Sequence, residues 1–436
     1  MKQGAGAQAA GVSPDSGGAP PGFGADARVA GLVGIGHAVS HFYQLAFAPL
    51  FPLWREEFGL DWTQLGLIMT VFYLVSCVGQ AGAGFVVDRH GPGASLLAGF
   101  VSMAAGVLIA AAAPGYGWLL VAAVVMALGN SVFHPADFSL LNHRVSDARI
   151  GHAFSLHGLS GTLGYASAPV LVALLSAAWG WRTALVVASG AGLAMAVVVV
   201  LCRSAYSVAP VTRAAQGTAA PATRQPVLAF FNFALVACML FFVTINIAGM
   251  GVQNMGVSLL ESLGRMDATA AAGWITSYIC AVAVGMVIGG FVASSARRHE
   301  WIAVAGTLSA AALLLALTHP AMSTLATGLL LCAAGVSLGI VTPARDMLVR
   351  SAVPKSATGR AYGIVYSAVD IGAALGPALM GWWLDRHLAA AGFASAAFFL
   401  VLAAMAGWLI AAQVRRLGVL AAAPGTASSG TVAPVR

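Results

Sequence analysis

A chain of 436 residues that is 59% hydrophobic and only 8% charged, with a mean hydropathy of +0.88, falls outside the soluble globular class, in which roughly 25% of residues carry charge. Disorder requires low hydrophobicity. A collagen-like fibre requires a three-residue glycine period, which the 52 Gly and 18 Pro do not show. The formal charge of +7 and the pI near 9.5 leave open a nucleic-acid partner, a membrane surface or a topology signal, and the placement of the basic residues decides among these.

Residues 1–29 are mostly Gly, Ala, Pro and Ser with Lys2, Asp15 and Asp26, and read as a flexible cytoplasmic tail. They lack the apolar core of a signal peptide. Apolar stretches follow at about 30–54, 62–87, 93–113, 117–142, 151–178 and 182–202, defining an N-terminal six-helix bundle over 30–202. A polar cytoplasmic linker, 203–225, precedes six more at about 226–255, 268–295, 301–318, 321–349, 358–384 and 390–414. These form a C-terminal six-helix bundle over 226–416, and 417–436 is a second flexible cytoplasmic tail. At about 20 residues per span, each stretch is long enough to cross a bilayer. The runs are continuous rather than alternating, which suits helices and not barrel strands. The expected fold is an all-α membrane protein with twelve transmembrane helices in two pseudo-symmetric six-helix bundles. The five cysteines lie in or beside apolar runs without metal-ligand spacing, and read as small hydrophobes.

An even number of spans with both termini inside puts sixteen Lys and Arg residues on the cytoplasmic side. Only Arg55, Arg182, Arg265 and Arg386 fall on the opposite side, and Arg345 lies within a span. Such asymmetry follows the positive-inside rule, so the basic pI reports orientation in a bacterial inner membrane and not nucleic-acid binding.

The two sets of six are related by a repeat. At an offset of 208 residues Pro135 matches Pro343, Gly151 matches Gly359, Ala153 matches Ala361, Gly164 matches Gly372 and Pro169 matches Pro377. Gly84-Phe85-Val86 likewise aligns with Gly290-Phe291-Val292 at an offset near 206. Repeated halves characterise secondary transporters, whose substrate site lies near the midplane between them. Gly158, Gly161, Gly164 and Ala168, spaced three or four apart, and Gly372 and Gly376 are expected to let helix backbones approach closely.

Gly84-Phe85-Val86-Val87-Asp88-Arg89-His90-Gly91 resembles the loop signature of the major facilitator superfamily between spans two and three. The family pattern continues with two basic residues where Pro92 and Gly93 stand here, and the second-half counterpart carries Ser294 and Ser295 in place of the acid. The resemblance implies that Gly84, Asp88, Arg89 and Gly91 belong to a cytoplasmic gate. It also implies that spans one, four, seven and ten line a central cavity. Phe133-His134-Pro135, after Gly129-Asn130-Ser131-Val132, is similar to the fosmidomycin-resistance-like efflux branch. Gly372 to Pro377 resembles the Gly-Pro motif of antiporters, which belongs in span five, where Gly164 to Pro169 carries Ala168 in place of the second glycine.

An ionisable group at mid-bilayer costs about 2.5–3.5 kcal/mol on insertion scales, so each is a functional candidate. Asp137, Arg345, Asp346 and Asp370 lead, joined by His37, His41, His134 and His157. His37 and His41 share one helix face, and Ser40 and Gln44 share the next. Pro135, between His134 and Asp137, removes a backbone donor and should bend its helix. Asp137 is the candidate proton carrier; a structural alternative pairs it with His41 or Asn130. Arg345 offers a fork for a carboxylate or phosphonate, or pairs internally with Asp370. Adjacent Asp346 points elsewhere on the helix. Asn246, Gln253 and Asn254 place amides in span seven.

No His-Glu-x-x-His, Gly-x-Ser-x-Gly or P-loop lysine occurs, and Lys2 and Lys355 are the only lysines. An enzyme, an ATP-driven pump and a bound cofactor are all disfavoured. The expected protein is a monomeric secondary active transporter in the lipid bilayer. It moves a small polar or anionic organic compound by alternating access, as proton-coupled export. The substrate and proton-coupling set is His37, His41, Gln44, Asn130, His134, Asp137, Asn246, Arg345, Asp346 and Asp370. Rival readings are a divalent-metal or organic-acid uptake carrier of the same fold, or a membrane-embedded metal-binding enzyme or receptor. The metal reading needs His37, His41, His134 and Asp137 to converge, which only tertiary packing decides.

Overall fold

The computed structural model describes residues 22–146, 148–208, 233–295, 298–352 and 358–422. Every regular element among them is helical. They run as α1 (Phe23–Leu45), a 3₁₀ turn (Ala48–Leu50), α2 (Phe51–Phe58), α3 (Trp62–His90), α4 (Pro92–Ala111), α5 (Tyr116–Asn130), α6 (Phe133–Arg144), α7 (Ile150–Trp179), α8 (Trp181–Leu201), α9 (Arg203–Tyr206), α10 (Phe233–Ser262), α11 (Ala268–Ser295), α12 (His299–Ala316), α13 (Thr324–Ala352), α14 (Thr358–Asp385) and α15 (Ala389–Ala422). With α5 and α6 counted as one span, ten of these are long and apolar enough to cross a membrane. The other two elements of spanning length, α1 and α14, carry polar side chains inside their apolar runs, among them His37, His41, Gln44 and Asp370. Those residues lower their hydropathy and, as described below for the site, Gln44 and Asp370 find hydrogen-bond partners within the protein.

Several helix ends depart from the apolar pattern for local reasons. Where a tail is expected to Val29, α1 already begins at Phe23. Its first turn is tied down by Asp26, which accepts hydrogen bonds from the Ser146 hydroxyl at 2.6 Å and Arg149 Nε at 2.7 Å. The first apolar stretch does not continue as one helix to residue 54. α1 stops at Leu45, and Pro49 and Pro52 restart the chain as a 3₁₀ turn and then α2. The fourth span divides into α5 and α6 at Ser131–Val132, the consequence expected of Pro135. At the other end of the chain, α15 runs on to Ala422, past the expected start of the tail.

Two ends of the molecule can be distinguished by their tight turns. One holds Gly59 (φ 63°), where α2 turns into α3, and the other holds Gly91 (φ 82°), where α3 turns into α4. Both are left-handed positions that favour glycine. In the N-terminal half of the chain α1 packs on α7, and in the C-terminal half α10 packs on α14. The contact is made by matching glycines. A Cβ on Gly164 would lie 2.1 Å from the Ala38 carbonyl oxygen, and one on Gly372 would lie 2.5 Å from the Val243 carbonyl oxygen. Of the small residues expected to bring helices together, Gly158 has nothing within 4 Å of a built Cβ. It is half-buried, and the close approach begins at Gly161.

Two seams join the N-terminal and C-terminal halves of the chain, α3 with α14 and α7 with α11. At the Gly59 end the first seam is backbone against backbone: a Cβ on Gly66 would strike the Pro377 carbonyl and one on Gly381 the Trp62 carbonyl. The Thr70 hydroxyl donates to the Ala374 carbonyl, and the seam extends inward to Gln80 and Asp370. Large apolar side chains such as Val78, Leu201 and Phe398 remain exposed on the helix exteriors. Such a surface would be an aggregation liability in water, but it is suited to lipid.

Candidate functional site

The break between α5 and α6 places His134 and Asp137 opposite the polar face of α1, and α7 closes the third side. Asp137 is 1% exposed, although it carries a carboxylate. Its Oδ2 lies 3.1 Å from His157 Nε2 and 3.3 Å from His37 Nδ1. The contact to His157 is a hydrogen bond, whereas His37 Nδ1 is close to the carboxylate without hydrogen-bond alignment. A buried charge must be paired to persist, and the two imidazoles supply that pairing. His37 stacks on His157 with ring centres 3.6 Å apart and planes 22° apart. His41 stands 4.3 Å from His37 and 4.3 Å from the Tyr165 ring.

Gly161 makes the crowding possible: a Cβ there would lie 2.9 Å from His37 Nε2 and from His41 Nδ1. The Gly161 backbone approaches the His41 ring out of hydrogen-bond geometry, and neither His41 nitrogen has a hydrogen-bond partner. The close spacing of four histidines and one carboxylate gives a proton several acceptors within one buried volume, the setting in which imidazole is an effective exchanger.

A second set of hydrogen bonds surrounds this cluster. The Gln44 side-chain amide donates to Asn130 Oδ1 at 3.1 Å, and Asn130 donates to the Ser76 hydroxyl at 2.8 Å. The Tyr165 hydroxyl donates to Gln44 Oε1 at 2.7 Å. From the cluster the contacts also cross to the other repeat: His134 Nδ1 lies 3.3 Å from Gln80 Oε1, and Gln80 Nε2 donates to Asp370 Oδ2 at 3.2 Å. His134, three residues before Asp137 on α6, is thereby linked through Gln80 to a carboxylate on α14.

The remaining expected residues are placed as follows. Asn130 holds Gln44 and Ser76, and Asp137 holds His157 and His37, so the expected alternative in which Asp137 pairs with His41 or Asn130 is replaced by an imidazole pair. Asn246 donates to the Phe242 carbonyl of its own helix, and its Cβ lies where a side chain at Gly372 would fall. The Arg345 guanidinium lies 4.5 Å from the centre of the Phe242 ring, a cation–π contact. Asp346 sits on α13, with its side chain outside the described residues. At the Gly91 end, Gly84 is open, and Asp88 and Arg89 are exposed and form no ion pair with a described residue. Sequence reasoning named His157 but left it out of the coupling set, and missed Gln80, Ser76 and Tyr165. None of these three belongs to a motif. The only available signal was a lone polar residue facing the histidine stripe from a neighbouring span.

Long apolar helices that enclose ionisable side chains and pack along glycine seams define a membrane transport protein. The chain belongs to the Major Facilitator Superfamily, whose sequence profile matches residues 33–275 and again 266–430, a family of transporters and not of enzymes. It is 30% identical over 152 residues to the fosmidomycin resistance protein of Escherichia coli K12, and 29% identical over 144 residues to the MFS-type transporter YfnC of Bacillus subtilis 168. Those stretches cover 35% and 33% of this chain, and only 37% and 35% of the two relatives. In fold it is similar to a bacterial homologue of the human lysosomal transporter Spinster in an inward-facing, occupied conformation. The TM-score is 0.74 at 15% identity, covering 90% of this chain and 98% of that one.

Proposed function

We propose that this protein is a proton-coupled secondary active transporter that exports a small polar or anionic organic compound by alternating access. The observation that carries this reading is the side-chain path from His134, three residues from Asp137 on α6, through Gln80 to Asp370. It connects a buried proton-accepting cluster on the first repeat to a carboxylate on the second, across a seam that rocking would part. Protonation on one side of that path changes the charge and hydrogen bonding available to the other, and a difference of that kind between two states is what couples an ion to a conformational change.

In this reading twelve helices form two six-helix bundles, with α1 and α14 as the two polar spans. Both termini lie in the cytoplasm, and the protein works as a monomer in a bacterial inner membrane. The Gly59 end then faces the periplasm, sealed by the α3–α14 seam, and the exposed Asp88 and Arg89 face the cytoplasm as an open gate. Arg345 is the candidate contact for an anionic group, because its guanidinium lies deep in a span where a carboxylate or phosphonate would lose its water.

The test is transport by the purified protein in vesicles under an imposed pH gradient, with a panel of drugs and organic acids. The wild-type protein should move at least one class of compound faster when the gradient is present. Asp137→Asn should abolish the response to the gradient while the protein remains folded. Proton coupling unchanged in Asp137→Asn removes this residue from the mechanism. A panel that moves at equal rates with and without the gradient overturns proton coupling altogether.

A further inference from the structure

We propose that His37, His41 and His134 form a binding site for one divalent cation of the zinc class. Each offers an imidazole nitrogen, and the three donor atoms lie within 4.8 Å of one another. Imidazole donors suit zinc-class ions, whereas magnesium and calcium prefer oxygen.

The orientation of the rings carries the choice of ligands. Metal–nitrogen bonds of about 2 Å in tetrahedral geometry place the centres of coordinating imidazoles roughly 5 Å apart, with their planes inclined to one another. The observed separations are 4.3 Å (His37–His41), 5.3 Å (His37–His134) and 6.2 Å (His41–His134), with planes inclined by 51°, 63° and 81°. The other candidate set, His37, Asp137 and His157, lies equally close. However, His37 and His157 are stacked, with planes only 22° apart, and in-plane lone pairs on parallel rings cannot meet at one ion.

Two further observations point to a ligand. Both His41 nitrogens are buried without hydrogen-bond partners. Such groups are rare in folded proteins because each forfeits its hydration for nothing; coordination by one nitrogen relieves it. Of the other two imidazoles, His134 already has the kind of supporting partner that metal-binding histidines use: its Nδ1 is hydrogen-bonded to Gln80 Oε1 at 3.3 Å, which leaves Nε2 as the free donor and fixes the ring. His37 Nδ1 lies 3.3 Å from the Asp137 carboxylate without hydrogen-bond alignment. Asp137 would also place a negative charge beside the cation. Three protein ligands leave a fourth position for water.

All three ligands come from α1 and α6, on one side of the α3–α14 seam, so parting that seam does not divide the ligand set. The inference is therefore of binding and not of metal transport, and it stands or falls independently of the proposed export reaction.

The experiment is calorimetric titration of the full-length protein in detergent with Zn²⁺ alone, without substrate or gradient. Saturable binding of one ion per chain is expected. His41→Gln, confirmed as folded by size exclusion and thermal unfolding, should weaken it by more than about tenfold, whereas His157→Ala should change it by less than about threefold. The visible spectrum of the Co²⁺-substituted wild-type protein should show the strong absorption of a tetrahedral site. No saturable binding, binding unchanged in His41→Gln, or binding lost in His157→Ala as fully as in His41→Gln would each overturn the assignment.

Discussion

Asp385, the last residue of α14, caps the start of α3: it accepts the backbone N–H of Trp62 at 2.6 Å, that of Thr63 at 2.9 Å and the Thr63 hydroxyl. The next N–H of α3, that of Gln64, is taken by Asp61 within a capping box. One carboxylate from the second repeat thus satisfies orphan donors of a first-repeat helix, and it does so only while the seam is closed.

Asp385→Ala leaves two backbone donors and a hydroxyl without their acceptor, a loss of about 1–3 kcal/mol for each buried group that water cannot reach. The seam at the Gly59 end should open more often. A cysteine introduced at Thr63 in a cysteine-free background should be labelled faster by a water-soluble maleimide when Asp385→Ala is also present. Equal labelling rates would show that the glycine contacts alone hold the seam.

Arg345→Gln removes the guanidinium but keeps a polar side chain of similar reach. Transport of anionic compounds should fall by about 1.5–3 kcal/mol in apparent binding, the range of a charge-assisted hydrogen bond, with neutral compounds little affected. Competition measurements with matched anionic and neutral compounds decide this. Equal losses for both classes would assign Arg345 to helix packing through Phe242.

Gly164→Ala and Gly158→Ala form an opposed pair. At Gly164 the new methyl group meets the Ala38 backbone, which cannot swing aside, and overpacking of this kind costs about 1–3 kcal/mol or more. At Gly158 a methyl group meets nothing within 4 Å, and the higher helix propensity of alanine favours the variant by up to about 1 kcal/mol. Thermal unfolding in detergent should lower the midpoint for the first and hold or raise it for the second.

Stability should also fall in acid for a reason outside the membrane spans. Partial burial pushes the Glu57 carboxyl up, but hydrogen bonds from Arg182 and Trp181 outweigh it and hold it below its usual range. A carboxylate held low stabilises the folded state above the pKa of the unfolded chain, about 4, and loses that stabilisation as pH falls through the lower folded value. Wild type should therefore lose thermal stability below about pH 4 more steeply than Glu57→Gln. Both partners are well exposed, at 45% and 39% of their side chains, so the difference should stay within about 1 kcal/mol. A steeper acid loss in Glu57→Gln would contradict the assigned direction.

The helices were largely legible in the sequence. The stretch expected at 268–295 is α11 residue for residue, and that at 151–178 differs from α7 by one residue at each end. A bilayer demands uninterrupted apolar length from each helix separately, so the signal is local. The same reasoning failed where local chemistry intervened, at Pro49 and Pro52 after α1 and at the Asp26 anchor before it. Within the site, the sequence supplied the residue types and two spacings, His37 to His41 and His134 to Asp137. It did not supply the partners. His157 is twenty residues beyond Asp137, and Gln80 is fifty-four before His134, and neither separation has a helical meaning.

The sequence by itself determined that the chain is a polytopic helical membrane protein, and that ionisable residues lie within its apolar helices, because hydropathy and charge placement are properties of single segments. Only the tertiary structure decided that Asp137 meets His157 and His37, that donor atoms of His37, His41 and His134 come within 4.8 Å of one another, and that Gln80 reaches Asp370. Those relations depend on how closely α1, α6, α7, α3 and α14 approach one another. That approach is set by glycine backbone contacts between segments far apart in the chain, which no local pattern encodes.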